Sequence, residues 1–527
     1  MVKLRFALWF FMIATLASFG PGCGPRTIMA AEKKVLVPDE DFQVLTSGPI
    51  HEAFAEAVTL DPEPGIVVPK APPVLIEEIP PEQKPEGDVQ WIPGYWAWDD
   101  EKNEYIWVSG IWRIPPPGRQ WIPGYWNSVT HGYQWISGYW TSVKTEEMEY
   151  LPEPPESVEI GPSSNAPSPD YIWIPGCWRW YYGRYAWRPG YWAVANPDWI
   201  WVPARYHWTP RGYIFVAGYW DHTIIRRGVL FAPVFFRPRV HLGLTFLFSP
   251  GFVINLNIFD DALFVRPRYR HYYYGDYYAS RHYRNGIYPW FSLHARRVVY
   301  DPIYAYQRWN HRNDRDWEKH LETRFRDRRE HKDLRPSRSF NHRTELGKTG
   351  GSPGSERLNV VMPLDRVGKT KKGTHRFKSM NEKERKQFLQ QKKEVRTYRQ
   401  ERQRRETQRQ NLPNERGLQK SEPNKEKFSR SPVMDRSNEK VERKKVPPTR
   451  YKAPKPNPNV EPLERKYDSS RFQEKSRKSE NIERKSDDRG EPSMDREQKK
   501  WNGDLRRKDR LEKLDHRRQG GDDVRKR

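Results

Sequence analysis

Cysteine is almost missing from this chain, with two among 527 residues, Cys23 and Cys177. So few exclude a disulfide framework and a thiolate zinc cluster. Long apolar runs are missing as well. The single candidate, residues 6–19, falls short of the about 20 residues that a membrane span needs and ends at Gly20-Pro21-Gly22. Hydrophobic residues make up only 36% and charged residues 31%, too little apolar surface to order the whole length as one enzyme-like body. There is no Gly-rich phosphate loop before a helix, no His-Glu-x-x-His and no nucleophile elbow. The reading is therefore non-enzymatic, with no catalytic residue, cofactor or metal ligand assigned.

What the chain does have is aromatic rings and positive charge, in different places. Of its 23 Trp, 18 lie between Trp91 and Trp220. Residues 1–220 carry 16 Lys+Arg against 25 Asp+Glu, residues 221–300 carry 11 against 4, and residues 301–527 carry 66 against 39. An aromatic body precedes a strongly cationic tail. At the other end Lys3 and Arg5, the apolar run and Met29-Ala30-Ala31 read as a signal peptide over 1–31, so the protein is expected to be exported. Cys23 offers an alternative lipidated start, although Gly20-Pro21 departs from the Leu-small-small pattern that precedes such cysteines. Residues 32–88 form a Pro- and Glu-rich leader.

From Trp91 a unit recurs: aromatic, x, Trp, x, Pro or Ser, Gly, Tyr, Trp. Its lead aromatics are Trp91, Trp107, Trp121, Trp135, Trp173, Trp187, Trp201 and Phe215, mostly 14 residues apart. Such regularity marks a structural repeat in two blocks of four, 89–140 and 171–220, joined by a linker over 141–170. Trp, Tyr and Ile around a Pro-Gly centre, with further turn signals at His131-Gly132, Tyr182-Gly183 and Arg211-Gly212, specify β-hairpins or a meander. Gly94, Gly110, Gly124, Gly138, Gly176, Gly190 and Gly218 are read as turn or bulge positions; if the place needs a positive φ, a β-branched residue at Gly190 would be strained, and if not, the glycine serves close packing. The unit at Trp201 is worn, with Ala204 in the glycine place. Cys177 stands where most copies have Tyr, as a packing variant.

These units resemble the YXWGXW, or WXXGXW, repeat proteins found among exported bacterial proteins, and the sequence after Trp220 is similar to the downstream part of such proteins from planctomycete-type bacteria. The resemblance implies an envelope protein of unknown role and carries over no catalytic residue.

The fold class expected is mainly β: the two repeat blocks, a small β-rich Tyr/Arg region over 221–310, a docking helix within 311–340, and a charged disordered tail over 341–527. In the β-rich region, alternating apolar residues on either side of Ser249-Pro250-Gly251 suggest a hairpin, and the Tyr-rich run 271–278 a packed edge. Trp317, Leu321 and Phe325 give the docking helix an apolar stripe. Ser379 and Glu382 read as the capping box of an isolated, solvated helix over 379–411. A protease-resistant core is expected from about 90 to 335.

Two kinds of partner are expected. The tail should gather at anionic envelope polymers. The ring faces of Trp91, Trp107, Trp121, Trp135, Trp173, Trp187, Tyr139 and Tyr191 form a candidate platform for polysaccharide. Export disfavours nucleic acid as a target, and nothing sets an oligomeric state. The acidic loop Asp99-Asp100-Glu101 with Glu104 reads as an exposed turn ahead of a calcium site.

Overall fold

Two repeat units make one hairpin, so the eight units form four. In the first, Gln90–Ile92 pairs with Ile111–Arg113, and Tyr95–Asp99 with Glu104–Val108. In the second, Arg119–Ile122 pairs with Tyr139–Ser142, and Tyr125–Val129 with Gly132–Ile136. The third joins Tyr171–Ile174 to Tyr191–Val194 and Cys177–Tyr181 to Arg184–Arg188. The fourth joins Trp199–Val202 to Tyr219–His222 and Arg205–Thr209 to Gly212–Val216. This computed structural model describes residues 35–36, 41–60, 62–237, 246–293, 299–336, 360–367, 376–408 and 424–436, all within the unit Met1–Lys445.

Each ladder is interrupted midway, and the interruption corrects the expected turn or bulge. Ile122 faces Tyr139 before the gap and Tyr125 faces Ile136 after it, so the register is unchanged and no residue has been inserted. The chain does not reverse there either. Pro123-Gly124 on one strand opposes Ser137-Gly138 on the other, and proline loses nothing in a gap because it has no N–H to place in a ladder. None of the seven repeat glycines has a positive φ. The reversals lie where the second signals put them, with Gly132 and Gly212 both at φ 141°.

The surroundings are built from distant segments. Val234–Phe236 joins the first hairpin to Phe42–Val44, and Val67–Val68 extends the second. The third and fourth remain two-stranded. A separate sheet runs Gly48–Pro49, His271–Tyr274, Leu263–Arg266, Tyr288–Pro289. The Tyr-rich run is thus an interior strand, where an edge was expected. Phe246–Phe248 and Phe252–Ile254 do not pair with each other as a hairpin. The first lies parallel between Val35–Leu36 and Glu77–Glu78, and the second pairs with Val361–Pro363. The helix Trp317–Glu330 buries Trp317, Leu321 and Phe325, the stripe that its periodicity predicts.

The helix at Glu382–Thr407 is not solvated. It is capped by Asn381 with Glu384, two residues beyond the expected box. It buries Val395, Tyr398, Arg402 and Glu406. Arg402 donates to Pro123 O (2.9 Å) and Ser137 O (3.1 Å), both in the gap of the second hairpin, and Tyr125 donates its hydroxyl to Glu406 (2.8 Å). Phe388 meets Trp112 edge-on at 4.9 Å. Asn424–Lys427 then pairs with Glu147–Tyr150. The ordered body therefore reaches past the expected limit near 335, and the remaining tail lies outside the described residues. Ending the chain before residue 376 should lower the melting temperature by several degrees, because Trp112, Tyr125 and Tyr139 lose their cover. An unchanged melting temperature would contradict this packing.

Candidate functional site

The gap in each hairpin is a notch, and tryptophan closes it. The lead aromatic of one unit pairs with the last aromatic of the other at 5.1 to 5.4 Å, as in Trp91–Trp112, Trp121–Trp140 and Trp173–Trp192. Edge-on or tilted contacts of this kind add about 0.5 to 1.5 kcal/mol each beyond burial. The lead ring also lies across the opposing glycine. A Cβ on Gly138 would stand 2.4 Å from Cζ2 of Trp121, and one on Gly190 2.4 Å from Cζ2 of Trp173. Close approach, and not φ, is what requires glycine. The exception fits the same rule: Ala204 occurs in the hairpin whose lead aromatic on the opposite strand is the smaller Phe215.

Three notches hold a glutamate from outside the repeat. Glu78 accepts from Gly94 N and Gly110 N, both at 2.8 Å, and from Trp107 Nε1 at 3.1 Å. Glu52 accepts from Gly138 N at 2.8 Å and Trp135 Nε1 at 3.4 Å. Glu159 accepts from Gly176 N, and from Trp173 Nε1 at 3.1 Å. In the fourth hairpin Trp201 Nε1 is buried with no hydrogen-bond partner among the described residues. Four of the last tryptophans bind neighbouring carbonyls, Trp96 to Val74 O, Trp126 to Trp96 O, Trp140 to Ala53 O and Trp192 to Ser164 O, while Trp112 Nε1, like Trp91 Nε1 opposite it, is buried without a partner among the described residues. These glutamates were missed in the sequence. A faint signal exists in Glu77-Glu78-Ile79-Pro80 and Glu159-Ile160-Gly161-Pro162, where a glutamate precedes Ile in a Pro-rich segment.

The expected platform divides sharply. Trp91, Trp107, Trp121, Trp135 and Tyr139 are buried and form core. Trp173 and Trp187 are half-buried, and Tyr191 is exposed. A crevice of about 30 Å³ beside Tyr95, Trp126, Trp135 and His271 has room for about two waters, not for a sugar. The acidic loop is paired, with Lys102 on Asp99, Arg266 on Asp100, Arg281 on Glu101 at 3.9 Å and Lys70 on Glu104, while His282 Nδ1 lies 3.0 Å from Glu101. Among the described residues no group of three His, Cys, Asp or Glu is placed to hold a metal. Burial pushes the half-buried Cys177 thiol up, away from the thiolate. Cys23 lies outside the described residues.

Four stretches, 90–113, 121–141, 169–193 and 196–220, match the model of the WXXGXW repeat family, which spans two copies. Each match covers one hairpin, so the family's two-copy unit is the hairpin with its notch. No curated protein and no solved structure matches the chain.

The first prediction from the notches is steric. Gly138→Ala should cost about 1 to 3 kcal/mol by overpacking, and Trp121→Phe should recover part of that cost, as Phe215 does for Ala204. Strictly additive melting shifts in the double variant would contradict the ring-on-glycine contact. The second concerns pH. Burial pushes Glu52 up to about 8 and Glu78 up to about 7, against hydrogen bonds from the glycines. Their stabilisation is complete below the unfolded value of 4.5 and is lost as pH rises to 7–8. Burial holds His51 at about 3 and His271 at about 4, so their part is lost as pH falls below the unfolded 6.5. His271 is thus neutral near pH 7 and makes no ion pair with Glu52, 3.9 Å away. Buried Asp260 and Asp301, raised to about 6 and about 7, add to the first trend, and His207 and His222, held low by burial, add to the second, so the two roughly cancel between 4.5 and 6.5. Melting temperature should be flat across that window and decline on both sides, and a steady rise from pH 5 to 8 would contradict the assignment.

Proposed function

We propose that this chain is a non-enzymatic, exported cell-envelope protein of planctomycete-type bacteria, in which the repeats form a rigid β scaffold and the cationic C-terminal region adheres to anionic envelope polymers. The carrying observation is the interior position of the notch tryptophans in the first two hairpins. A motif whose rings cover its own glycines builds structure first. Three further features support the reading. The matched family model describes a repeat. The glutamate clasps draw the leader and linker into the same body. The excess of Lys and Arg after residue 300 concentrates near polyanions through screened attraction.

A second reading, polysaccharide binding, is favoured by one observation. The third hairpin leaves Trp173 and Trp187 half-exposed and Tyr191 open to solvent. Only this hairpin presents its lead aromatics in that way together with an exposed tyrosine.

Elution from a polyphosphate resin tests the adhesive part. Residues 437–527 hold 29 Lys+Arg and 19 Asp+Glu, so a chain ending at Arg436 keeps every described element and loses a net +10. The full chain should elute at distinctly higher salt than the shortened one, as expected for screened attraction. Equal elution of the two would contradict adhesion through the tail.

A further inference from the structure

The third hairpin differs from the other three in charge as well as in exposure. Residues 171–194 contain Arg179, Arg184 and Arg188 and no Asp or Glu, whereas residues 90–113 contain Asp99, Asp100, Glu101 and Glu104. Cross-strand register places the three arginines on one face. Cys177 faces Arg188, Arg179 faces Ala186, and Tyr181 faces Arg184. Each pair on this face therefore contributes one guanidinium, and successive pairs are about 7 Å apart along the strands. The opposite face carries Trp178 against Trp187 and Trp180 against Tyr185. It is tied down by Trp178 Nε1 to Glu156 O at 3.0 Å, and by Tyr185 to Pro152 O.

The cationic face is open. Arg184 and Arg188 are exposed, and among the described residues no carboxylate pairs with any of the three arginines. Their partners are rings: Arg188 lies 5.4 Å from Tyr191, and Arg179 lies 5.8 Å from Tyr181 and 4.2 Å from Phe215. Tyr181 and Tyr191 are 48% and 42% exposed. At the tip Tyr182 occupies the left-handed region at φ 47° before Gly183 at φ 80°. Its ring is fully exposed, at 103%. A bulky residue is disfavoured in that conformation, and nothing in the fold uses its ring. The two-residue reversal itself requires a positive φ at both positions, so what is distinctive is the choice of tyrosine there, which sets a full ring into solvent beside the arginines.

The geometry points to a binding site for an acidic polysaccharide on this face. The guanidiniums would take the carboxylates of uronic-acid sugars, and Tyr181, Tyr182 and Tyr191 would stack on the rings between them. The charge complementarity selects an acidic chain over a neutral one, and the exposed rings at both ends of the arginine row, Tyr181 and Tyr182 at the tip and Tyr191 beyond Arg188, select a sugar over a structureless polyanion. The inference rests on the reading that this protein adheres to anionic envelope polymers, and names where and how one class of them is recognised.

The test uses the full chain with polygalacturonate, neutral galactan, polyphosphate and phosphatidylglycerol vesicles as probes, at low salt and at about 0.5 M, where tail attraction is heavily screened. Polygalacturonate binding should persist at high salt and weaken at least about tenfold in the R179Q/R184Q/R188Q variant with unchanged near-UV circular dichroism. Tyr182→Asn should raise the melting temperature, because Asn tolerates the left-handed region, while weakening that binding. A structural role alone would not separate the two. Equal binding by the triple variant, equal binding of galactan, or preference for the vesicles would overturn the proposal. Full release of polygalacturonate at 0.5 M alongside polyphosphate would also overturn it and leave tail adhesion standing. Failure to bind any polyanion even at low salt would remove the adhesion reading with it.

Discussion

A tryptophan ring lying on a glycine, across a gap in a β-ladder, is the contact on which the rest depends. With no Cβ beneath it, the ring of Trp121 can close over Gly138 while meeting Trp140 at 5.3 Å. The same contact made in both directions gives the first three hairpins two rings over two glycines each, and so explains why the units come in pairs. It also explains the period. Each strand half, the gap and the reversal must bring lead Trp and opposing Gly into register, and an added residue would turn every ring to the other face. Proline suits the gap because it asks for no ladder partner there.

The gap has a cost that the repeat alone does not meet. Its glycine N–H groups and the adjacent indole N–H are buried donors, and leaving each unpaired costs about 1 to 3 kcal/mol. Glu78, Glu52 and Glu159 supply the acceptors, and each comes from a segment outside the repeat. A carboxylate buried this way bends the local pH behaviour, but it also fixes where the leader and linker run. The carbonyls of Pro123 and Ser137 in the second notch are met from the other side by Arg402. One interrupted hairpin thereby organises residues more than two hundred positions away.

Local pattern was readable and remote pairing was not. The eight units, their hairpin reversals and the Trp317, Leu321, Phe325 stripe follow from spacing along a few turns or strands of chain. The partners of Phe246–Phe248 and Phe252–Ile254 are Glu77–Glu78 and Val361–Pro363, which no neighbouring residue signals. The helix at Glu382–Thr407 looked solvated because its apolar residues are sparse, yet much of its buried face is Arg402 and Glu406, whose charges find partners only in the folded chain. The platform was half legible: all units share one motif, so sequence could not say that the first two hairpins bury their lead rings and the third leaves its own half-buried with Tyr191 exposed. The glycines were expected as turns or bulges and are neither, since a flat ring above a Cα leaves the same mark in sequence as a special backbone position.

The central claim is that the notch amides are capped by buried glutamate carboxyl groups, and amide hydrogen exchange measures it most directly. The N–H groups of Gly94, Gly110 and Gly138 should exchange near the limit set by global unfolding, far slower than those of the exposed Gly87 and Gly183. Glu78→Ala should then accelerate Gly94 and Gly110 and leave Gly138 slow. Exchange of the three at the rate of Gly87, or no response to the loss of Glu78, would contradict it.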